Sequence, residues 1–281
     1  IAPTILKAFG NTDSYIEPFC GSLAILLAKP PSKIEIVNDI DHFICNFWRS
    51  ISNDYESTIA HADYPVIQVD LHSRHEYLVS KATDEFKDKI KNDPNFFDAK
   101  LAGWWVWGIS ASIGSNWLLP KGLNAMPNSA NAGIHGLTFS IKDSFKALSE
   151  RMRNVKVCCS DWKKIVTPSY TYKNKALTHK STISVFLDPP YDQNNRSKVY
   201  KNDNDVFNET VDWCKENSEI SNMKIALCGY DGTCDLENFG WTKYYWEANR
   251  GYSALGDSQG KENSKKEVIW FNKYCTKVNN D

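Results

Sequence analysis

Six short apolar runs, rich in β-branched residues, set the strongest limit on the fold of this 281-residue chain. They lie at residues 15–16, 34–37, 155–158, 183–187, 224–227 and 268–271. Runs this short and almost wholly apolar are typical of strands that are buried on both faces. Helix-like segments separate them, at residues 22–28, 41–51, 144–153 and 205–216. The alternation predicts an α/β sheet with helices on both faces.

The alternation stops between about residues 53 and 140. This stretch contains charged helix-like sequence at residues 72–91, an aromatic block at residues 103–108 and a polar loop at residues 120–136. A polar loop of this length is often functional. We therefore predict one domain made of residues 1–52 and 141–281, with a mainly helical domain inserted at residues 53–140.

Composition excludes several classes of protein. No run of about 20 apolar residues is present, so we expect no membrane span. The eight cysteines form no CxxC pair, which argues against a zinc site or a disulfide framework and favours a reducing, cytoplasmic setting. The net charge is −1, yet residues 142–180 hold ten Lys or Arg against three acids. A local basic face of this kind can attract phosphates, although a merely solvated surface explains the same charges.

Two acidic motifs indicate a nucleoside cofactor. The first predicted strand ends in Glu-Pro-Phe-Cys-Gly (residues 17–21), where Gly21 lets a ligand approach the backbone. The second ends in Asn-Asp-Ile-Asp (residues 38–41), and the carboxylate of Asp39 can accept hydrogen bonds from both hydroxyls of a ribose. The first turn could instead be purely structural. Asp39 or Asp41 could also serve only as the N-cap of the next helix.

The third motif, Asp-Pro-Pro-Tyr (residues 188–191), follows the central buried strand. Prolines stiffen the turn and leave carbonyl oxygens fixed. The carboxylate of Asp188 and the carbonyl of Pro189 could therefore accept both hydrogens of an exocyclic amine, with Tyr191 stacked on the base. A strand end built this way for packing alone is the weaker explanation.

Together, Glu-Pro-Phe-x-Gly, Asn-Asp-Ile-Asp and Asp-Pro-Pro-Tyr resemble the Dam-type adenine-N6 DNA methyltransferases over nearly the whole chain. Residues 105–117 and 225–231 are similar to segments of phage-like members. The resemblance implies a Rossmann-like sheet that binds S-adenosylmethionine (SAM), a target-recognition domain in the insert, double-stranded DNA as substrate and S-adenosylhomocysteine as product. It implies no metal, and it suggests a restriction-modification or phage setting in a bacterial cytoplasm.

The resemblance also implies roles for individual residues. The target amine and its base would be held by Asp188, Pro189, Pro190 and Tyr191. The cofactor would be held by Asp188 and by ten further residues: Tyr15, Glu17, Pro18, Phe19, Gly21, Ser22, Asp39, Ile40, Asp161 and Trp162.

Two features depart from the family pattern. Leu23 stands where a second glycine is usual, and the Pro-Gly-Gly-Lys loop expected upstream of Tyr15 is not present after Ile1. At Leu23 we expect altered packing of the cofactor, and from the absence of that loop we expect weak SAM binding. Three alternatives remain open: an RNA adenine methyltransferase, a cytosine-N4 methyltransferase, which more often has Ser in place of Asp188, and a catalytically impaired protein that binds SAM or DNA.

Overall fold

The structure, a computed structural model, describes residues 1–111, 133–136, 140–190, 203–246 and 267–278. It divides into two compact units. The first comprises residues 1–39 and 160–281, and the second comprises residues 40–159. The predicted insert at residues 53–140 falls within the second unit, and its assignment as a separate target-recognition domain stays a prediction.

The first unit is built on a mixed sheet. Its strands are β1 (Ser14–Glu17), β2 (Ile34–Asp39), β4 (Ile183–Leu187), β5 (Met223–Tyr230), β6 (Thr242–Tyr245) and β7 (Glu267–Phe271). They lie in the order β2-β1-β4-β5-β7-β6. The pairs β1–β2, β1–β4 and β4–β5 are parallel, whereas β7 is antiparallel to both β5 and β6.

The central strands are buried along their whole length, as their apolar sequences require. Every residue of β1 and of β4 is buried. Ile16 of β1 is aligned with Ile36 of β2 on one side and with Val185 of β4 on the other. Because these three strands are parallel, their carboxyl ends meet at one edge of the sheet, which is where ligands bind in open α/β sheets. The predicted α/β class is confirmed.

Three helices of the first unit are α1 (Ala2–Phe9), α2 (Ala24–Ala28) and α8 (Asp203–Glu216). Helix α1 buries Ile5, Ala8 and Phe9, which share one face because they are spaced three and four residues apart. Neither this helix nor the exposed edge strand β6 contains one of the six apolar runs, so the sequence did not predict them. Trp241 precedes β6, and its Nε1 donates a 3.0 Å hydrogen bond to Ser218 in the interior.

The second unit is mainly helical. It contains α3 (His42–Ala62), α4 (Gln68–Lys81), α5 (Asp84–Asn92), α6 (Ala99–Ala111), α7 (Ile141–Met152) and strand β3 (Val155–Cys159). A 3-10 turn covers Gly133–Gly136. The helix-like stretch at residues 72–91 proves to be parts of two helices, because Thr83 caps a new helix by accepting a hydrogen bond from the backbone N–H of Phe86.

The aromatic block forms part of α6, which packs closely on α3. A Cβ atom at Gly103 would lie 2.6 Å from the carbonyl oxygen of Thr58, so only glycine allows this approach. Trp107 is fully buried, and the guanidinium of Arg74 lies 4.2 Å from its ring centroid. No helix among the described residues is long and apolar enough to cross a membrane.

Candidate active site

The side chain of Glu17 occupies the buried carboxyl end of β1. Tyr15 lies on the same face, two residues earlier, and its hydroxyl donates a 2.8 Å hydrogen bond to Oε2 of Glu17. The backbone N–H of Leu26, in the first turn of α2, donates to Glu17 as well. Leu23, the N-cap residue, offers no side-chain cap, so Glu17 satisfies an N–H that the helix leaves unpaired.

Burial raises the pKa of Glu17 from its ordinary 4.5 to about 8. The nearby carboxylates of Asp188 and Asp39 raise it further, because a second negative charge is unfavourable beside them. The hydrogen bonds from Tyr15 and Leu26 act in the opposite direction. At neutral pH, the carboxyl group of Glu17 therefore holds its proton in the ligand-free protein.

Two hydrogen bonds hold the loop after β1 against the end of β2. The backbone N–H of Gly21 donates to Oδ2 of Asp39 at 3.0 Å, and that of Cys20 donates to the carbonyl of Asn38 at 2.9 Å. Gly21 has a φ of +43°, which only glycine adopts readily. Apart from its two neighbours in the chain, no described residue has an atom within 4 Å of where a Cβ of Gly21 would be.

Leu23 keeps the backbone conformation that favours glycine. Its φ of 57° and ψ of 29° lie in the left-handed region, which costs an ordinary residue about 1–2 kcal/mol. Its N–H donates to the carbonyl of Cys20 at 2.7 Å and closes the turn. The side chain is fully buried, and this burial offsets the strain. Leu23 therefore adopts a conformation that glycine would adopt without strain.

Asn38 connects three segments and is a site residue that sequence reasoning missed. Its Nδ2 donates to the carbonyls of Pro18 at 3.0 Å and of Ser160 at 2.9 Å. Its Oδ1 accepts from the backbone N–H of Ser160 at 3.0 Å. A buried amide at the end of an apolar strand is the signal in the sequence, since such a group must find partners.

Aromatic rings lie beside this loop. The rings of Phe19 and Trp162 have centroids 5.7 Å apart, and Trp162 also packs edge-on against Trp213 at 6.5 Å. Trp162 is 5% exposed, and its Nε1 has no hydrogen-bond partner within the described part of the chain. Asp161 is exposed and accepts a 2.9 Å hydrogen bond from the backbone N–H of Lys163.

The third motif follows β4 directly. Asp188 is exposed, Pro189 is buried and Pro190 is half-buried. Asp188 lies close enough to Glu17 and to Cys228 for its charge to raise the pKa of both groups. Tyr191 lies outside the described residues.

The structure brings most of the proposed residues to one edge of the first unit. Three carboxyl groups, those of Glu17, Asp39 and Asp188, follow or end the adjacent parallel strands β1, β2 and β4. Ser22 is exposed beside Gly21 in the same loop. Ile40 belongs to the second unit and is 41% exposed. The arrangement combines acidic acceptors, an open glycine turn and an aromatic wall.

A comparison with protein-family models matches residues 1–224 to the D12 class N6 adenine-specific DNA methyltransferases. No curated protein matches the sequence. The matched region includes all three motifs and covers most of the chain. The chain therefore belongs to the D12 class of N6 adenine-specific DNA methyltransferases.

Proposed function

We propose that this protein transfers a methyl group from SAM to the exocyclic amine of a flipped-out adenine at specific sites in double-stranded DNA, releasing S-adenosylhomocysteine. Family membership supports adenine-N6 methylation of DNA in general. The donor, the extrusion of the base and the roles of single residues are the finer parts of this proposal. A base stacked in a duplex cannot reach a pocket at a sheet edge, which is the reason for base flipping.

The observation that carries the choice of donor is the group of three carboxyls at the ends of β1, β2 and β4. Mutual repulsion within this group contributes to the raised pKa of Glu17. A cationic ligand relieves such repulsion, whereas the anionic pyrophosphate of a dinucleotide increases it. When bound, SAM supplies a methyl group on a positively charged sulfur. Its charge therefore suits this edge of the sheet.

The remaining residues offer a matching set of contacts for the nucleoside. Asp39 would accept from the ribose hydroxyls, as its position at the end of β2 suggests. Phe19 and Trp162 would border the cofactor adenine. The indole N–H of Trp162, which has no partner among the described residues, could donate to the ligand there. Gly21 would let the ligand approach the backbone, and Ser22 is exposed beside it.

Tyr15 and Pro18 would act indirectly. Tyr15 orients Glu17 through its 2.8 Å hydrogen bond. The carbonyl of Pro18 is fixed by Asn38, which keeps the loop against β2.

Asp188 and Pro189 would orient the target amine. The carboxylate and the carbonyl accept one hydrogen each, which turns the nitrogen lone pair toward the electrophile. The negative charge of Asp188 stabilises the positive charge that develops on the amine before its proton leaves. Pro190 stiffens the turn, and Tyr191 would stack on the base. The functional groups act by position and charge, so Asp188 need not be a strong base.

The experiment that tests these roles is Asp188→Ala. We expect methyl transfer to DNA to be abolished while calorimetry still detects substantial SAM binding, because Asp188 faces the target more than the cofactor. Asp212→Ala, a change at an exposed position on α8, is the matched control and should leave both measurements unaltered. Comparable turnover in Asp188→Ala would refute the assigned role.

Three alternatives differ in their products. An RNA adenine methyltransferase would use the same pocket, and a cytosine-N4 enzyme would modify a different base. A catalytically impaired member would bind SAM or DNA without turnover. Leu23 was one of two sequence arguments for impairment, and its glycine-like backbone weakens that argument. Phage-like membership and a role in restriction-modification stay predictions.

A further inference from the structure

Cys45 and Cys159 are neighbouring thiols in the second unit. Cys45 lies in the first turns of α3 and is 3% exposed, whereas Cys159 ends β3 and is half-buried. Cys159 packs against the apolar cluster that contains Cys45. The Cys45 thiol donates to the carbonyl of Cys158, the residue next to Cys159, with Sγ and oxygen 3.5 Å apart. One sulfur is therefore held in the interior beside another that solvent reaches.

The surroundings of Cys159 favour a thiolate. The neighbouring Cys45 side chain is the largest of the causes that lower the pKa of Cys159 to about 5. His42, through a hydrogen bond and its charge, and the charge of Lys91 lower this pKa further, whereas burial raises it. His42 is the first residue of α3, whose positive dipole end also favours an anion. Three other titratable groups lie nearby. Asp41 caps α3, and Lys156 and Cys158 belong to β3.

The geometry points to Cys159 and Cys45 as a redox-modification site, in which Cys159 attacks a peroxide and Cys45 closes a disulfide with it. This inference does not depend on the proposed methyl transfer. Within the described residues no group of three or more His, Cys, Asp or Glu side chains could hold a metal ion.

The reaction balances with hydrogen peroxide as the oxidant. The Cys159 thiolate attacks one peroxide oxygen, an S–O bond forms, the O–O bond breaks, and the departing hydroxide takes up a proton to become water. The sulfur of Cys45 then attacks the sulfenic sulfur of Cys159. The S–S bond forms, the S–O bond breaks, and the proton of the Cys45 thiol leaves with the hydroxide as a second water. Two thiols lose two electrons, and the peroxide gains them.

Other cysteines lack this environment. Cys214 is fully buried, and burial raises the pKa of its thiol well above the ordinary range. Burial also raises the pKa of Cys234 to about 11 and that of Cys275 to about 12. These thiols stay protonated at neutral pH, so they should react more slowly.

The first test is peroxide oxidation of the whole reduced chain at pH 7. After one equivalent of hydrogen peroxide, remaining thiols are blocked in denaturant and the digest is analysed by mass spectrometry. We expect a Cys45–Cys159 disulfide as the main product, reversible by dithiothreitol. Cys45→Ser should stop at a sulfenic acid on Cys159 that dimedone traps, and Cys159→Ser should form no such product. Cys214→Ser, the matched control, should behave as the unmodified sequence does. A reduced Cys159 alongside oxidation elsewhere would overturn the inference.

The second test needs no variant and therefore holds even if a substitution impairs folding. The rate at which iodoacetamide alkylates each cysteine is measured at pH 6 and pH 8. For Cys159 we expect the rate to change by less than about twofold, because its thiolate is already formed. The rate for a thiol with a pKa of about 8.5 should rise about 75-fold. A steep rise for Cys159 would contradict the inference.

Discussion

Replacing Glu17 with glutamine should stabilise the ligand-free protein at alkaline pH. Glu17 loses its proton near pH 4.5 when the chain is unfolded, but only near pH 8 when it is folded. Between these values unfolding releases a proton, so the free energy of unfolding falls as the pH rises. Glutamine has the same shape and can accept from the Tyr15 hydroxyl and the Leu26 N–H, yet it has no proton to release.

The magnitude follows from the two pKa values. Each pH unit between 4.5 and 8 is worth at most about 1.4 kcal/mol, which gives a ceiling of about 5 kcal/mol at pH 8 and above. Structural relaxation and water entry reduce such penalties for buried charges, so we expect a measured gain of about 2–4 kcal/mol. At pH 5, where the folded glutamic acid is neutral, the two proteins should differ by less than about 1 kcal/mol.

Urea unfolding at pH 5, 6, 7 and 8 measures this difference. The slope of free energy against urea concentration should stay the same in both proteins, so that a shift in midpoint reports stability. Glu216→Gln, at an exposed position at the end of α8, provides the control and should leave the pH dependence unchanged. Two results would refute the description of Glu17 as a buried, protonated acid. The Glu17→Gln variant could be less stable than the unmodified protein at pH 8, or its free energy of unfolding could differ by the same amount at every pH.

Three further changes test other parts of the site. Asp39→Ala should weaken SAM binding by about 1–3 kcal/mol in a calorimetric titration, because it removes the proposed ribose acceptor and the partner of the Gly21 N–H; unchanged affinity would make Asp39 a structural residue only. Asn38→Ala should lower the free energy of unfolding by about 2–4 kcal/mol in urea titrations, since the buried partners at Pro18 and Ser160 lose their hydrogen bonds; a loss no larger than that of exposed Asn208→Ala would contradict this. Deletion of residues 124–131, which lie outside the described residues, should relax site preference on a randomised DNA library while SAM still binds; unaltered specificity would remove the loop from target recognition.

The sequence predicts the buried parts of the fold well. Strands β1, β2, β4, β5 and β7 all carry apolar runs, because burial on both faces leaves little room for polar residues. Strand β6 carries no such run, since the Thr-Lys-Tyr-Tyr segment lies at the sheet edge and depends on its pairing with β7. The direction of β7 was also beyond prediction, because an apolar run is the same in parallel and antiparallel pairs.

In the candidate site, features that depend on a local motif could be predicted, whereas features that depend on distant residues could not. Motifs that end strands are local, so Glu17, Asp39 and Asp188 could be proposed from the sequence and meet at one sheet edge. The role of Asn38 depends on Ser160, which is 122 residues away, and no local pattern predicts that pairing. The raised pKa of Glu17 likewise arises from burial and from carboxylates on other strands. The left-handed backbone of Leu23 also could not be predicted, because residues other than glycine rarely adopt it.

Nucleoside analysis by mass spectrometry tests the central claim most directly. The protein is incubated with SAM that carries a labelled methyl group and with either DNA or RNA, and the digested nucleosides are separated. We predict labelled N6-methyladenine from DNA, none from RNA, and none from DNA treated with Asp188→Ala. Labelled N4-methylcytosine, methylation confined to RNA, or no labelled nucleoside at all despite SAM binding would contradict the account.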